Sequence, residues 1–329
     1  MRLSTGEHNR FHPKVMDKLI RKIEGLVDRP RRRHGLLKNR PLWYQLWTSL
    51  YALEDTHLAV AAYSGEEFGT SHGARYLAVY GLLQALFLQQ DAAQNLCQAL
   101  GMPVTLDEYP RLKEIRETRT ESIGHPTKRE RGKKGQRTSY HSITRMSLRP
   151  EGFDLLSQYS DGRLESKKVS IPDLVTDQRH YVVDILERIV CKLEDEEAAH
   201  KEKFRMEKLT AVFPSTLDYH LQKVLLCTTT GEDAALGEAH LQEIKGALDA
   251  FREALARRGI ELDTYESIRD VYQSLEYPLG ELQRFFDTVK AGGRPHIDPR
   301  AADIFAWYVQ RQVCELKKMA REIDQDYAS

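Results

Sequence analysis

Two side chains that could act together on a phosphate, Arg119 and His125, stand near the predicted end of a helix with five residues between them. Arginine carries a permanent planar cation that binds phosphate oxygens, and histidine exchanges protons near neutral pH. Gly124 and Pro126 flank the histidine, which predicts a turn directly at the pair. These residue types predict a phosphate-binding site with a proton-transfer group.

The spacing alone does not identify the site, because Arg2 precedes His8 and Arg29 precedes His34 at similar intervals. Only Arg119 and His125 follow a candidate amphipathic helix and lead into a basic segment. A structural role is the alternative for this pair. His125 would then cap the carbonyls of the preceding helix, while Arg119 would form a salt bridge with Glu114 or Glu121.

The elements that must position this pair are mainly helical. Apolar residues three and four positions apart predict helices over 13–28, from Pro41 onward, and over 108–122. A helix over 74–100 is apolar almost all round its middle, which predicts a place at the centre of a bundle.

Polar residues interrupt that central helix at Gln90 and Asp91, and buried polar groups need partners. One hypothesis is that Gln90 or Asp91 faces Arg119 and His125 and orients them. An ordinary buried hydrogen-bond network is an equally good interpretation.

The periodicity changes from helical to alternating after residue 138. The Asp161-Gly162 pair is a strong hairpin signal, so a small antiparallel meander of two or three strands is predicted within 138–171. Helix returns at Pro172 and is predicted to continue to Lys208.

The C-terminal part, from Pro214, predicts four or five further helices. Breaks are expected at 228–231, 258–259, 277–278 and 292–295, and Asp298 with Pro299 predicts the start of the last helix. The chain thus divides into an N-terminal helix and basic loop (1–40), a bundle with the meander inserted (41–209) and a C-terminal helical domain (210–329).

Charge is balanced over the chain, with 49 basic and 49 acidic residues, but not along it. Residues 1–170 hold 28 basic and 19 acidic side chains, and residues 171–329 hold 21 and 30. The basic excess is concentrated at 29–40 and 128–137, both interpreted as loops. A polyanion is a reasonable partner for such loops, and the alternatives are a solvated loop or docking on the acidic second half.

Composition and targeting signals favour a soluble, cytoplasmic protein. The first residues lack the apolar core of a signal peptide, and the longest apolar stretch, 77–88, falls short of the ~20 residues that cross a bilayer. The four cysteines lie far apart without a CxxC pair, which predicts reduced, mostly buried thiols.

The stretch from Arg119 to His125 resembles the motif of the HEPN superfamily, helical bundles whose nuclease members carry Arg, a polar residue, a few more residues and then His. The resemblance covers about residues 41–209. Thr120 stands where many members have Asn, Asp or His, and Glu121 is the alternative for that polar auxiliary role.

Membership would imply metal-independent RNA cleavage, without a cofactor, in a cleft built by two subunits. His125 would act as general acid or base, and Arg119 would stabilise the phosphate. Four basic residues would guide the RNA: Lys128, Arg129, Lys133 and Lys134. Such an enzyme could be a toxin, a defence factor or an RNA-processing enzyme, held in check by a partner protein of unknown identity.

Two alternatives remain open. HEPN folds without activity serve as dimerisation or RNA-binding modules. A di-metal carboxylate centre is the other, because Glu54 with His57 and Glu197 with His200 are both Glu-x-x-His pairs, which place two metal ligands on one helix face.

Overall fold

The computed structural model describes residues 14–65, 71–105, 108–131, 137–230, 233–262 and 265–328. The fold is mainly helical with one small antiparallel sheet, as predicted. The chain forms two compact units, one ending at Glu194 and the other beginning at Asp195, with the short segment Arg29–Gly35 belonging to the second unit. The predicted boundaries at 40 and 209 differ from this division at both positions.

The first unit is built on helices that follow the predicted apolar periodicity. They are α1 (Lys14–Val27), α3 (Arg40–Gly65), α4 (His72–Ala99) and α5 (Pro110–Arg119). On α3 the residues Leu46, Leu50 and Leu53 are completely buried, because spacings of four and three place them on one face. The predicted helices over 13–28, from Pro41 and over 74–100 are confirmed.

Helix α4 supplies much of the core of this unit. Leu82, Leu83 and Leu86 are at most 2% exposed. The side chain of Ser71 accepts a hydrogen bond from the Ala74 amide and caps the helix, and Gly101, with φ +65°, follows its end. Its apolar surface is not covered all round, since Leu77 and Leu88 are 74% and 44% exposed.

The basic segment 29–40, predicted as a loop, instead forms helix α2 (Pro30–Leu37). Pro30 occupies the first helical position, where its missing N–H costs nothing. Arg31 and Arg32 form ion pairs with Glu197 and Glu196, which offset the repulsion among neighbouring arginines. A loop prediction from charge alone was therefore wrong.

The sheet contains four antiparallel strands in the order β1 (Arg129–Arg131), β2 (Arg137–Ile143), β3 (Gly152–Tyr159) and β4 (Leu164–Ser170). At the predicted hairpin Gly162 has φ +85°, and the Asp161 carboxylate accepts a hydrogen bond from the Arg163 amide. One face carries Phe153, Leu155 and Val169 into the core of the first unit. Strand β1 extends the predicted meander by one strand.

Helix α6 (Ile171–Phe204) follows the sheet, close to its predicted bounds, and runs past the division between the units. The second unit then contains α7 (Leu217–Thr230), α8 (Ala234–Arg257), α9 (Glu266–Lys290) and α10 (Pro299–Ala328). Asp298 caps α10 by accepting from the Arg300 amide at 2.8 Å, as the Asp-Pro pair predicts.

The break predicted at Tyr277-Pro278 is wrong, because α9 is continuous through Pro278. An internal proline costs a helix about 3 kcal/mol. The buried residues Leu275 and Leu282 lie on either side of it in the core, and their burial compensates that cost. Each helix in the described ranges is either too short or too polar to span a bilayer.

Candidate functional site

Arg119 and His125 lie at opposite ends of one turn of π-helix. The α-helical hydrogen-bond pattern of α5 ends at Arg119, and Thr120–Gly124 continue as a π-helical turn. The amide of His125 closes this turn by donating to the Thr120 carbonyl at 2.8 Å. Single π-helical turns are frequent at functional sites, because the extra residue redirects the side chains that follow.

Helix α4 holds the Arg119 side chain. Nε and Nη2 of Arg119 both donate to Oε1 of Gln84, at 3.2 and 2.8 Å. The guanidinium carbon also lies 4.6 Å from the centre of the Phe87 ring, which is a cation–π contact. The salt bridge of Arg119 with Glu114 or Glu121 that the structural alternative required is not formed. These two carboxylates bind Arg111 and Arg129 instead.

Gly124 lies directly against the guanidinium group. A Cβ atom at this position would lie 2.7 Å from Nη1 of Arg119. A side chain at residue 124 would therefore push the guanidinium group out of its present position.

His125 is fixed through its backbone and exposed through its side chain. Its amide donates to Thr120, and the next carbonyl, that of Pro126, accepts from the His141 amide of β2 at 2.6 Å. The imidazole is exposed and makes no hydrogen bond with any residue that the structure describes. The predicted capping of helix carbonyls by this ring is therefore not observed, and the ring is accessible to a ligand.

The two auxiliary candidates are engaged within the protein. The hydroxyl of Thr120 donates to the Arg116 carbonyl at 2.8 Å. The carboxylate of Glu121 binds Nη1 of Arg129 at 3.2 Å. Both groups support the local structure around the turn.

Gln90 and Asp91 do not contact Arg119, contrary to the orienting hypothesis. Arg116, one turn earlier on α5, donates from Nε to Gln90 at 2.8 Å and from Nη2 to Asp91. Arg116 therefore receives the partners that were predicted for Arg119, because Gln90 and Asp91 lie further along α4 than Gln84 does. Its guanidinium carbon lies 4.3 Å from the Phe87 ring centre, so two arginines share that ring.

The alternative prediction of a buried hydrogen-bond network is confirmed for Gln90, which is 0% exposed. Its Nε2 donates to the Leu112 carbonyl and to Oε1 of Gln178. Gln178 in turn donates to Leu86 and Gln89, which connects α4, α5 and α6.

The predicted RNA-guiding cations are neutralised to different degrees. Lys128, which is 60% exposed, pairs with Glu130 at 2.6 Å. A hydrogen bond from Lys128 to Glu130 raises the pKa of the lysine. Arg129 is only 16% exposed and binds Glu117 and Glu121. Lys133 and Lys134 lie outside the residues that the structure describes.

Two groups of functional interest gave only weak signals in the sequence. Gln84 and Phe87 hold Arg119, and the only signal was that Gln84 interrupts an apolar run. His141 is 8% exposed, and its ring nitrogens contact the hydroxyls of Ser139 and Ser157 at 2.9 and 2.8 Å. The sequence signal for His141 was a polar residue at a core-facing position of a strand.

The di-metal alternative gains no support from the residues in the described ranges. Among them, no group of three or more His, Cys, Asp or Glu side chains is placed to hold a metal. The side chain of His57 lies 3.4 Å from Asp17. Glu197 is bound by Arg29 and Arg31, and His200 lies 2.9 Å from the Tyr327 hydroxyl.

Comparison of the chain with protein-family models, curated proteins and solved structures gives no match. A function can therefore be inferred only from the residues and geometry of the site itself.

Proposed function

We propose that this protein is a metal-independent endoribonuclease of the HEPN type, with His125 as the general acid or base and Arg119 as the phosphate-stabilising group. One observation carries the proposal. A guanidinium group that is fixed by Gln84 and Phe87 stands one π-helical turn before an exposed imidazole without a partner among the described residues.

RNA supplies its own nucleophile, so the protein needs to supply only proton transfer and charge stabilisation. The 2′-oxygen attacks the adjacent phosphorus and loses its proton, and the bond from phosphorus to the 5′-oxygen breaks. His125 takes the first proton or returns one to the leaving 5′-oxygen. Arg119 stabilises the negative charge on the non-bridging oxygens. The products are a 2′,3′-cyclic phosphate and a 5′-hydroxyl.

One histidine cannot readily act as acid and base at the same time, so the proposal includes a homodimer that brings two copies of the motif to one cleft. Lys128, whose ion pair is exposed, can exchange Glu130 for an RNA phosphate at little cost. Arg129 is more buried, and in this proposal it stabilises the π-helical turn rather than binding the RNA. The proposed cellular role is that of a cytoplasmic toxin, defence factor or RNA-processing enzyme, with a regulatory partner.

The test is incubation of the purified full chain with single-stranded RNA in EDTA. Cleavage that leaves 2′,3′-cyclic ends and disappears in His125→Ala and Arg119→Ala would support the proposal. His72→Ala, an exposed histidine at the start of α4, is the matched control and should cleave like the wild type. Activity that survives in His125→Ala would reject the assignment.

The second candidate is an inactive RNA-binding or dimerisation module. It is favoured by the partners already bound to Arg119 and Arg129, which suit a structural role. Salt-dependent RNA binding without any cleavage would support it. A dimer measured by light scattering is expected from both candidates, and a monomer would remove the composite cleft.

A further inference from the structure

The environment of Arg119 restricts which side of its guanidinium group can meet a ligand. A guanidinium offers two pairs of donors to a phosphate: the side-on pair of Nε with Nη2, and the end-on pair of Nη1 with Nη2. In this structure Oε1 of Gln84 occupies the side-on pair, at 3.2 and 2.8 Å. No described residue accepts a hydrogen bond from Nη1.

Phe87 and Gly124 restrict the group further. The ring of Phe87 covers the guanidinium at 4.6 Å from its centre, which limits rotation out of the plane. The backbone of Gly124 lies so close to Nη1 that any side chain there would displace it. Three residues therefore determine one position and one orientation of the cation.

Charge distinguishes Arg119 from its neighbour on the same ring. Arg116 is neutralised by Asp91, whereas the polar partner of Arg119 is the uncharged amide of Gln84. In the described part of the chain Arg119 has no carboxylate partner, so its positive charge is available to an anion.

We infer that Gln84, Phe87 and Gly124 are positioning residues that present Arg119 to the two non-bridging oxygens of a phosphodiester through its end-on Nη1 and Nη2 donors. The effect on cleavage rests on the proposed function, whereas the fixed orientation of Arg119 does not. Glutamine is required at 84 because it holds the group without neutralising it. Glycine is required at 124 because it leaves room for Nη1.

The orientation can be measured without any activity, from the proton on Nε of Arg119 in the full chain labelled with ¹⁵N-arginine. The resonance is assigned by its loss in Arg119→Lys. We expect slow exchange of this proton with water in the wild type and in Gln84→Glu. Exchange about tenfold faster is expected in Gln84→Ala, which corresponds to the loss of one hydrogen bond. Equal exchange in wild type and Gln84→Ala would overturn the inference.

Gly124→Ala tests whether Gly124 determines the position of the Arg119 guanidinium group. The new Cβ lies too close only to Nη1, at the end of the flexible Arg119 side chain, while Thr120 Cγ2 is at an ordinary contact distance of 3.8 Å. The guanidinium should therefore move while the fold is retained. Gly81→Ala on α4 is the matched control, because nothing lies within 4 Å of its added Cβ. The Arg119 resonance should shift in Gly124→Ala and stay in place in Gly81→Ala. Unshifted resonances in both variants would overturn the inference.

If the wild type cleaves RNA, the kcat and KM of the variants provide a second test. Gly124→Ala should lower kcat about 100-fold with KM nearly unchanged, because the phosphate is still bound but its stabilising group is misplaced. Gln84→Glu should also lower kcat, because the carboxylate neutralises the charge of Arg119. The Nε proton of Arg119 should nevertheless exchange slowly in this variant. A wild type without cleavage rejects the proposed function, and the exchange and shift measurements then decide the orientation alone.

Discussion

Nε of Arg116 donates a hydrogen bond to Oε1 of Gln90 at 2.8 Å, and this bond separates the roles of the two arginines that share the Phe87 ring. Arg116 is tied into a buried network and neutralised by Asp91. Arg119, three residues later, has a neutral partner. The same helix face thus carries one structural and one available cation.

The buried network predicts a large stability cost for Gln90→Ala. The substitution would remove the hydrogen bonds that Gln90 makes with the Leu112 carbonyl, with Oε1 of Gln178 and with Nε of Arg116, and it would create a cavity in the core. We expect a loss of about 2–4 kcal/mol in the free energy of unfolding, measured with urea. Gln98→Ala, at an exposed position of the same helix, should change it by less than about 0.5 kcal/mol. Equal losses in the two variants would contradict the network.

The two histidines of the site region should differ in their contribution to stability. His125→Ala removes an exposed ring and should leave the free energy of unfolding within about 0.5 kcal/mol of the wild type. His141→Ala removes a buried ring and leaves the hydroxyls of Ser139 and Ser157 unpaired, which should cost about 2–3 kcal/mol. Thermal unfolding of both variants measures this contrast. A strongly destabilised His125→Ala would show that its ring is packed rather than accessible.

Two glycines of α8 provide a matched test of packing in the second unit. A Cβ at Gly237 would lie 2.4 Å from the ring of Phe286, which is 0% exposed and cannot move aside. Gly237→Ala should therefore destabilise the unit by about 1–3 kcal/mol. Gly246 has nothing within 4 Å of an added Cβ, so Gly246→Ala should stabilise it by about 0.5–1 kcal/mol. Urea unfolding of both variants would reveal any departure from these opposite signs.

Glu197 predicts a pH-dependent contribution to stability. Burial by itself raises the pKa of this carboxyl, but the hydrogen bonds and charges of Arg31 and Arg29 outweigh burial and lower it. Because the folded pKa lies below the ordinary value of 4.5, the stabilisation is present above pH 4.5 and is lost as the pH falls through the folded pKa.

Glu197→Gln should therefore cost about 1–2 kcal/mol at pH 7, between the values for exposed and buried ion pairs. The difference from the wild type should shrink as the pH falls below 4.5. Chemical unfolding at pH 7 and at pH 4 or lower measures both values. A difference that grows towards acid pH would have the wrong sign.

The cysteines should react with thiol reagents in two classes. Cys191 and Cys314 are exposed, which corrects the prediction of mostly buried thiols, and they should react quickly with a disulfide reagent at pH 8. Burial raises the pKa of Cys97 to about 11, so this thiol should react only after unfolding. Burial also raises the pKa of Cys227. Cys191→Ser with Cys314→Ser should remove the fast phase, and fast labelling of Cys97 would contradict its burial.

Local patterns were sufficient for most of the elements. The spacing of Leu46, Leu50 and Leu53 predicted a helix because residues four and three positions apart lie on one face of a helix, whatever packs against it. The Asp161-Gly162 pair predicted its hairpin because the turn needs a residue with positive φ. Patterns failed at Pro30 and Pro278, where ion pairs or core packing with distant residues outweighed the local preference.

For the candidate site, the sequence alone determined which side chains could do chemistry, and it selected Arg119 and His125 by type and context. Only the tertiary structure decided that Gln84, rather than Gln90 or Asp91, holds Arg119. Gln84, Gln90 and Asp91 are all polar residues of α4, so the sequence does not show which of them binds Arg119. The answer depends on how far α5 is displaced along the axis of α4. That shift is set by long-range packing, which no local pattern encodes.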